Sequence, residues 1–138
     1  KIMKRLFCLS IVLSSCVLAK KKSSFPNKVA IYKIQCTGKL VVGVPCEEIE
    51  KRSIARLVMQ TSKKSQVDSL YHILSRQSNL QLDKPFASMD TRIAIIFTYN
   101  DGREERFCWS SVNRIKLNDT FYTYNSEVEM LIINICGG

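Results

Sequence analysis

Catalysis needs a nucleophile beside a base, convergent carboxylates or a set of metal ligands, and residues of each type occur in this chain. Cysteines stand at positions 8, 16, 36, 46, 108 and 136, and His72 is the single histidine. No two cysteines have the Cys-x-x-Cys spacing, and one histidine completes no three-ligand zinc site without carboxylates, so no metal is expected. A thiol hydrolase would have to use His72 as its base, and no Gly-x-Ser-x-Gly elbow is present to serve a serine. Glu47/Glu48 and Glu104/Glu105 are adjacent carboxylates, but neighbours in a strand point to opposite faces, so neither pair converges by itself. No glycine loop of the kind that cradles phosphate appears, so no cofactor and no catalytic residue is assigned. Aromatic recognition is the remaining chemistry. In the run 121–124, Tyr122 and Tyr124 share one strand face and Phe121 takes the other; with Phe121 in the core, the two tyrosines become a candidate binding surface for a protein or sugar.

These residues need elements to hold them. Residues 29–36 and 40–44 are rich in β-formers around Thr37-Gly38, which reads as a first hairpin ended by Pro45. A short helical turn at 46–51 and a strand at 54–60 follow. Ser65 with Asp68 reads as the start of a helix to about residue 77, with Val67, Leu70, Tyr71 and Leu74 on its buried stripe. His72 then lies about 150° from the stripe centre, on the wet face with Asp68 upstream as an ion-pair partner. Residues 78–90 carry Pro85 and no clean period, so they read as a crossing loop over the tyrosine face.

The strongest hairpin signal is Asn100-Asp101-Gly102 between runs 93–99 and 106–109. A two-residue loop would set Ile95 opposite Cys108 and split the apolar set. A three-residue loop with Gly102 left-handed at a bulge sets Ile95 opposite Phe107 and Ile93 opposite Trp109, making one face coherent. A further strand pair, 113–117 with 120–124, turns at Asn118-Asp119. Ser126 caps a closing helix with Glu129 at its third position and Val128, Leu131, Ile132 and Ile135 as its stripe. The expected fold is α+β, an antiparallel sheet of hairpins with two main helices, braced by disulfides.

The amino-terminal residues carry an address. Lys1, Lys4 and Arg5 precede an apolar stretch over 6–19, about 21 Å as a helix and too short for a ~30 Å hydrocarbon core. This is the pattern of a secretory leader. Val17 and Ala19 allow cleavage before Lys20, whereas Leu13-Ser14-Ser15-Cys16 resembles the bacterial lipoprotein box, which implies cleavage before Cys16 and a lipid anchor on it. Residues 1–19 are thus the leader, 20–27 a Lys- and Ser-rich linker and 28–138 a single α+β domain of ordinary size.

Removal of Lys1, Lys4 and Arg5 leaves 18 basic against 12 acidic side chains, lowering the net charge from +9 to +6. Three of those charges are Lys20 to Lys22 and the rest are interleaved with acids, so nucleic-acid binding, which wants a clustered basic face, is not expected. Cys36, Cys46, Cys108 and Cys136 remain for two disulfides. A straight first hairpin separates Cys36 from Cys46 by about 23 Å, which excludes their pairing. Of the two connectivities left, Cys46 with Cys108 and Cys36 with Cys136 is preferred because it clamps the closing helix onto the first hairpin. The function expected is an exported or lipid-anchored, non-enzymatic binding module, an inhibitor or envelope complex subunit whose partner is a protein. The alternative is a small secreted hydrolase or ligand carrier with a site assembled from distant residues.

Overall fold

The structure, a computed structural model, describes residues 25–36, 43–85, 89–110 and 112–137. The expected leader with Cys16, the turn at Thr37-Gly38 and the run 40–42 lie outside the described residues. Seven strands make one antiparallel sheet: β1 (Lys28–Lys33), β2 (Arg56–Thr61), β3 (Leu80–Leu82), β4 (Thr91–Thr98), β5 (Glu104–Ser110), β6 (Ile115–Leu117) and β7 (Thr120–Tyr124). Their spatial order is β2-β1-β4-β5-β6-β7-β3. Two helices, α1 (Lys64–Ser75) and α2 (Ser126–Gly137), cover one face, and a 3-10 turn, Cys46–Lys51, covers the other. The fold is therefore α+β as the sequence implies.

β4 explains the layering. Residues 91–97 are all buried, because its odd positions Ile93, Ile95 and Phe97 pack under the helices while Ala94 and Ile96 pack under the 3-10 turn. An alternating strand would need one cover; this continuous apolar run needs two. The helix-side core joins Val67 and Leu74 of α1 to Val128, Ile132 and Ile135 of α2, the stripes expected from their spacing. Val44, Cys46 and Ile49 close the opposite face over Ala94, Ile96 and Cys108.

The β4–β5 hairpin takes the bulged form. Ile95 faces Phe107 and Ile93 faces Trp109, and Gly102 has φ +82° inside a loop closed by Tyr99 N–H donating to Arg103 O at 2.9 Å. A β-carbon at that φ is strained, which is why the loop carries glycine there. The first hairpin is overturned: β1 is paired on one edge with β2 and on the other with β4, so no edge is left for residues 40–44. Val44 instead accepts the Thr91 N–H, extending the sheet margin beside β4. Residues 78–90 also differ from expectation, since β3 lies within them and pairs with β7. The helix starts shift as well: the residue preceding α1 at its cap is Lys63, two ahead of the expected Ser65, and Asp68 pairs with Lys64 rather than His72. On α2 the capping oxygen belongs to Asn125, whose Oδ1 accepts from the Glu127 and Val128 N–H groups. Asn125 also donates to Oδ1 of the buried Asn79, whose amide reaches Ile73 O and Glu127, so one amide pair joins the end of α1 to the start of α2.

Two disulfides staple the two covers. Cys46–Cys108 ties the 3-10 turn to β5 with Cα atoms 5.7 Å apart, and Cys36–Cys136 ties the end of β1 to the end of α2 with Cα atoms 5.9 Å apart. This is the preferred connectivity, although the hairpin used to reach it is absent. The end of α2 is further fixed by Lys33, whose ammonium donates to the carbonyls of Ile135 and Cys136, where a cation complements the helix dipole. One charge is buried among all this: Arg92, 1% exposed, is the extra residue of a bulge in β4. Its guanidinium takes Asp90 through two nitrogens and also reaches Gln35 O.

Two outcomes follow. Because Cys46 and Cys108 are buried while Cys36 and Cys136 are partly exposed, graded reductant with alkylation under native conditions should label Cys36 and Cys136 first. The reverse order, read by peptide mass, would contradict the assigned covers. Asp90→Ala strands the Arg92 charge and should lower unfolding free energy by about 3 kcal/mol in a denaturant titration; a loss below ~1 kcal/mol would mean that Arg92 does not depend on this carboxylate.

Candidate interaction surface

The tyrosines singled out by sequence stand on the helix side of β7. Tyr122 is opposite Ile115 and Leu82, and Tyr124 is opposite Leu80, so β3 flanks them both. Phe121 is buried as expected, but Tyr122 and Tyr124 are half-buried rather than open. Tyr124 packs on the helix-side core, its hydroxyl accepts from Trp109 Nε1 at 2.7 Å, and burial raises its pKa. The pair looked exposed because alternation puts both tyrosines opposite the buried Phe121; segment 78–90, read as a crossing loop, flanks them instead as strand β3 paired with β7.

The adjacent carboxylates take different partners, Glu104 and Glu105 on alternate faces of β5 and Glu47 and Glu48 within the 3-10 turn. Glu47 meets Lys116 and Glu50 meets Arg106 through both oxygens, fastening the 3-10 turn to β5 and β6. The hydrogen bonds from Lys116 and Arg106 hold both carboxyls below the usual range. Glu104 also pairs with Arg106 and Glu48 with Arg52. Glu47, Glu48, Glu50 and Glu104 are thus engaged with cations, an arrangement that fastens elements. His72 is exposed on α1, with its ring 6.1 Å from that of Phe25. Phe25 also touches Tyr71, Pro26 is buried, and the Asn27 N–H donates to Thr98 O, so the last residues of the expected linker are seated on the domain.

A polar cluster that sequence reading missed lies beside that segment. The Tyr99 hydroxyl contacts the Tyr71 hydroxyl at 3.1 Å and Glu105 at 2.8 Å, and the Arg103 guanidinium stacks 4.4 Å over the Tyr99 ring. Tyr99 is 7% exposed, and burial followed by these two hydrogen bonds pushes its pKa far above the ordinary tyrosine value. It is a proton donor held in place, with a cleft of about 280 Å³ above it. The signal was legible only after the fold joined residues 71, 99 and 105. Among the described residues no three metal-ligating side chains converge.

Two larger concavities lie elsewhere, along the outer margin of β2 and α2. One cleft, about 930 Å³, is bounded by Lys33, Arg56, Ile54, Ile133 and the Cys36–Cys136 bridge. A second, about 540 Å³, opens between α1 and α2 over Val58, Met59, Leu70 and Leu131. Val58 owes its position to a bulge: Leu57 pairs with Tyr32 and Met59 with Ile31, leaving Val58 as the extra residue on β2. Around the clefts Ile54, Val58, Met130 and Ile133 are 55%, 44%, 56% and 53% exposed. α2 carries no charge from Met130 to its end, and Met130 and Ile133 stand on its exposed side with Asn134. β2 is also the edge of the sheet, with no described strand beyond it.

Fold and surface together define a small disulfide-braced α+β module with an apolar margin. Compared with known proteins, the chain matches no family model, no curated protein and no solved structure. The disulfides belong to an oxidising compartment outside the cytoplasm. Among the described residues no helix is long and apolar enough to cross a membrane.

Tyr99 gives a pH signature. Its folded pKa is raised, so the stability it contributes is complete below the unfolded value near 10 and declines as pH climbs above it. Denaturant midpoints should therefore fall above about pH 10, and Tyr99→Phe should flatten that decline. An unchanged alkaline slope in Tyr99→Phe would remove Tyr99 as its source.

Proposed function

We propose that this chain is an exported binding module of the bacterial cell envelope, anchored through an acylated Cys16 or released with Lys20 at its amino terminus, and that it works by holding another protein rather than by catalysis. The observation that carries this reading is the aliphatic margin of β2 and α2, where Ile54, Val58, Met130 and Ile133 stay in water although the same elements bury apolar side chains on their inner faces. Contiguous exposed apolar surface of this kind marks interaction sites in soluble domains. Leader pattern and disulfides agree with export, and the role is that of an inhibitor or a subunit of an envelope complex.

A second reading, a carrier for a small ligand, is favoured by the Tyr71–Tyr99–Glu105 cluster and its cleft. It places the ligand on the side of α1 away from α2's outward face, so the two readings respond to different substitutions. No nucleic-acid partner is proposed.

Mass spectrometry of the protein made in its native host should find no peptide spanning residues 5–20. Acylated Cys16 supports the anchored form and a free Lys20 amino terminus the released one; an intact leader on the mature protein rejects export. In the same host, cross-linking should join the chain to a second protein. Ile133→Asp, at an exposed site and so within ~0.5 kcal/mol of the parent stability, should abolish that product. A product insensitive to Ile133→Asp but lost in Tyr99→Phe would favour the polar cluster instead.

A further inference from the structure

The charges around the apolar margin have one sign. From Lys51 to Val67 the chain carries five basic residues, Lys51, Arg52, Arg56, Lys63 and Lys64, and no acidic one. Arg52 and Lys64 are taken by Glu48 and Asp68, whereas Arg56 and Lys63 meet no carboxylate among the described residues. They sit just where β2 begins and just beyond its end, so they bracket the strand. Among the described residues neither cleft is lined by an Asp or Glu, and the larger one is lined by two cations, Lys33 and Arg56. From Met130 to its end α2 contributes uncharged surface, its two carboxylates, Glu127 and Glu129, standing in its first turn.

We infer that this margin docks an acidic segment of a partner protein, whose aliphatic side chains enter the cleft between α1, α2 and β2 while its carboxylates meet Arg56 and Lys63. The inference rests on the binding-module reading and adds the chemistry of the partner. Charge decides against the obvious competitor, a second copy of this chain: two such margins would place cations against cations, which costs affinity at an interface. A partner with carboxylates at the rim and aliphatic groups at the centre gains both steering and burial, the usual division between polar rim and apolar core. Six residues of β2 at ~3.3 Å each span about 20 Å, so the occupying segment is short, on the order of six extended residues between its outer carboxylates. The bulge at Val58 interrupts the edge and turns that side chain toward the groove, so side-chain contacts at the groove carry recognition beside whatever backbone pairing the edge allows.

The probe is a fluorescein-labelled peptide of ten residues in which Glu and Leu alternate, with matched peptides carrying Lys or Gln in place of Glu. Anisotropy titrations with the disulfide-bonded chain should show the Glu peptide binding at least ~10-fold more tightly than the Gln peptide, the Lys peptide weakest, and the preference shrinking as salt is raised. The double substitution Arg56→Glu with Lys63→Glu should reverse the order of the Glu and Lys peptides. Both sites are exposed, so an unchanged circular dichroism melt will certify the fold. Equal binding of Glu and Lys peptides, or a preference that survives the reversal, overturns the inference. So does concentration-dependent dimerisation that Ile133→Asp abolishes. If no peptide binds yet Ile133→Asp still removes the native cross-link, the acidic partner is rejected while the binding module stands; loss of neither effect on the cross-link rejects both.

Discussion

β4 is buried on both faces, and everything else in the molecule answers to that. A strand that is apolar at consecutive positions cannot be satisfied by one layer, yet a single domain of this length has few residues with which to build a second. The helices form a full cover on one side. On the other, six residues of 3-10 turn with Val44, Cys46 and Ile49 do the same job with little apolar surface. Such a thin cover buries little, and it is held instead by a bond to Cys108 and by the Glu47–Lys116 and Glu50–Arg106 pairs. Covalent and ionic fastening stand in for area there. The helical cover has area of its own, and its disulfide acts at the rim.

Much of this was legible in the amino-acid sequence wherever a local pattern sufficed. The helical stripes at Val67 to Leu74 and Val128 to Ile135, the bulged register at Gly102 and the turn at Asn118 all follow from spacing and turn chemistry, and the structure repeats them. What failed was long-range. Residues 29–36 read as one arm of a hairpin because the next β-rich run was near, but β1 took partners 23 and more residues away. β3 escaped because three residues show no period, and its strand character comes from pairing with β7. The cap oxygens slipped by a residue since Asn125 and Ser126 are equally good caps by type, and only the Asn125–Asn79 contact distinguishes them.

The candidate surface divides in the same way. Tyr122 and Tyr124 were visible because alternation is a local property, but whether a strand face is open depends on its neighbours in the sheet, and β3 with Trp109 half-closes it. The β2 and α2 margin draws on residues 54–58 and 130–133, which sequence places far apart. One clue was available: a closing helix with no charged residue after Glu129 has few polar residues to turn outward, and Met130 and Ile133 face solvent with Asn134. The basic run 51–64 was the other, diluted in a net-charge count that averages over the whole chain.

The Cys36–Cys136 bridge has a mechanical meaning. The described chain begins at Phe25, β1 follows directly, and the bridge joins the residues just past β1 to the end of α2. A pull between the amino-terminal side and α2 therefore travels along β1, crosses the sulfur atoms and arrives at the helix without passing through the other six strands. β1 lies between β2 and β4, hydrogen-bonded along both edges, so the load falls in shear on its ladders together rather than peeling one at a time. Anything gripping α2 would be tugging, through a short covalent link, on a strand one place in from the sheet's edge.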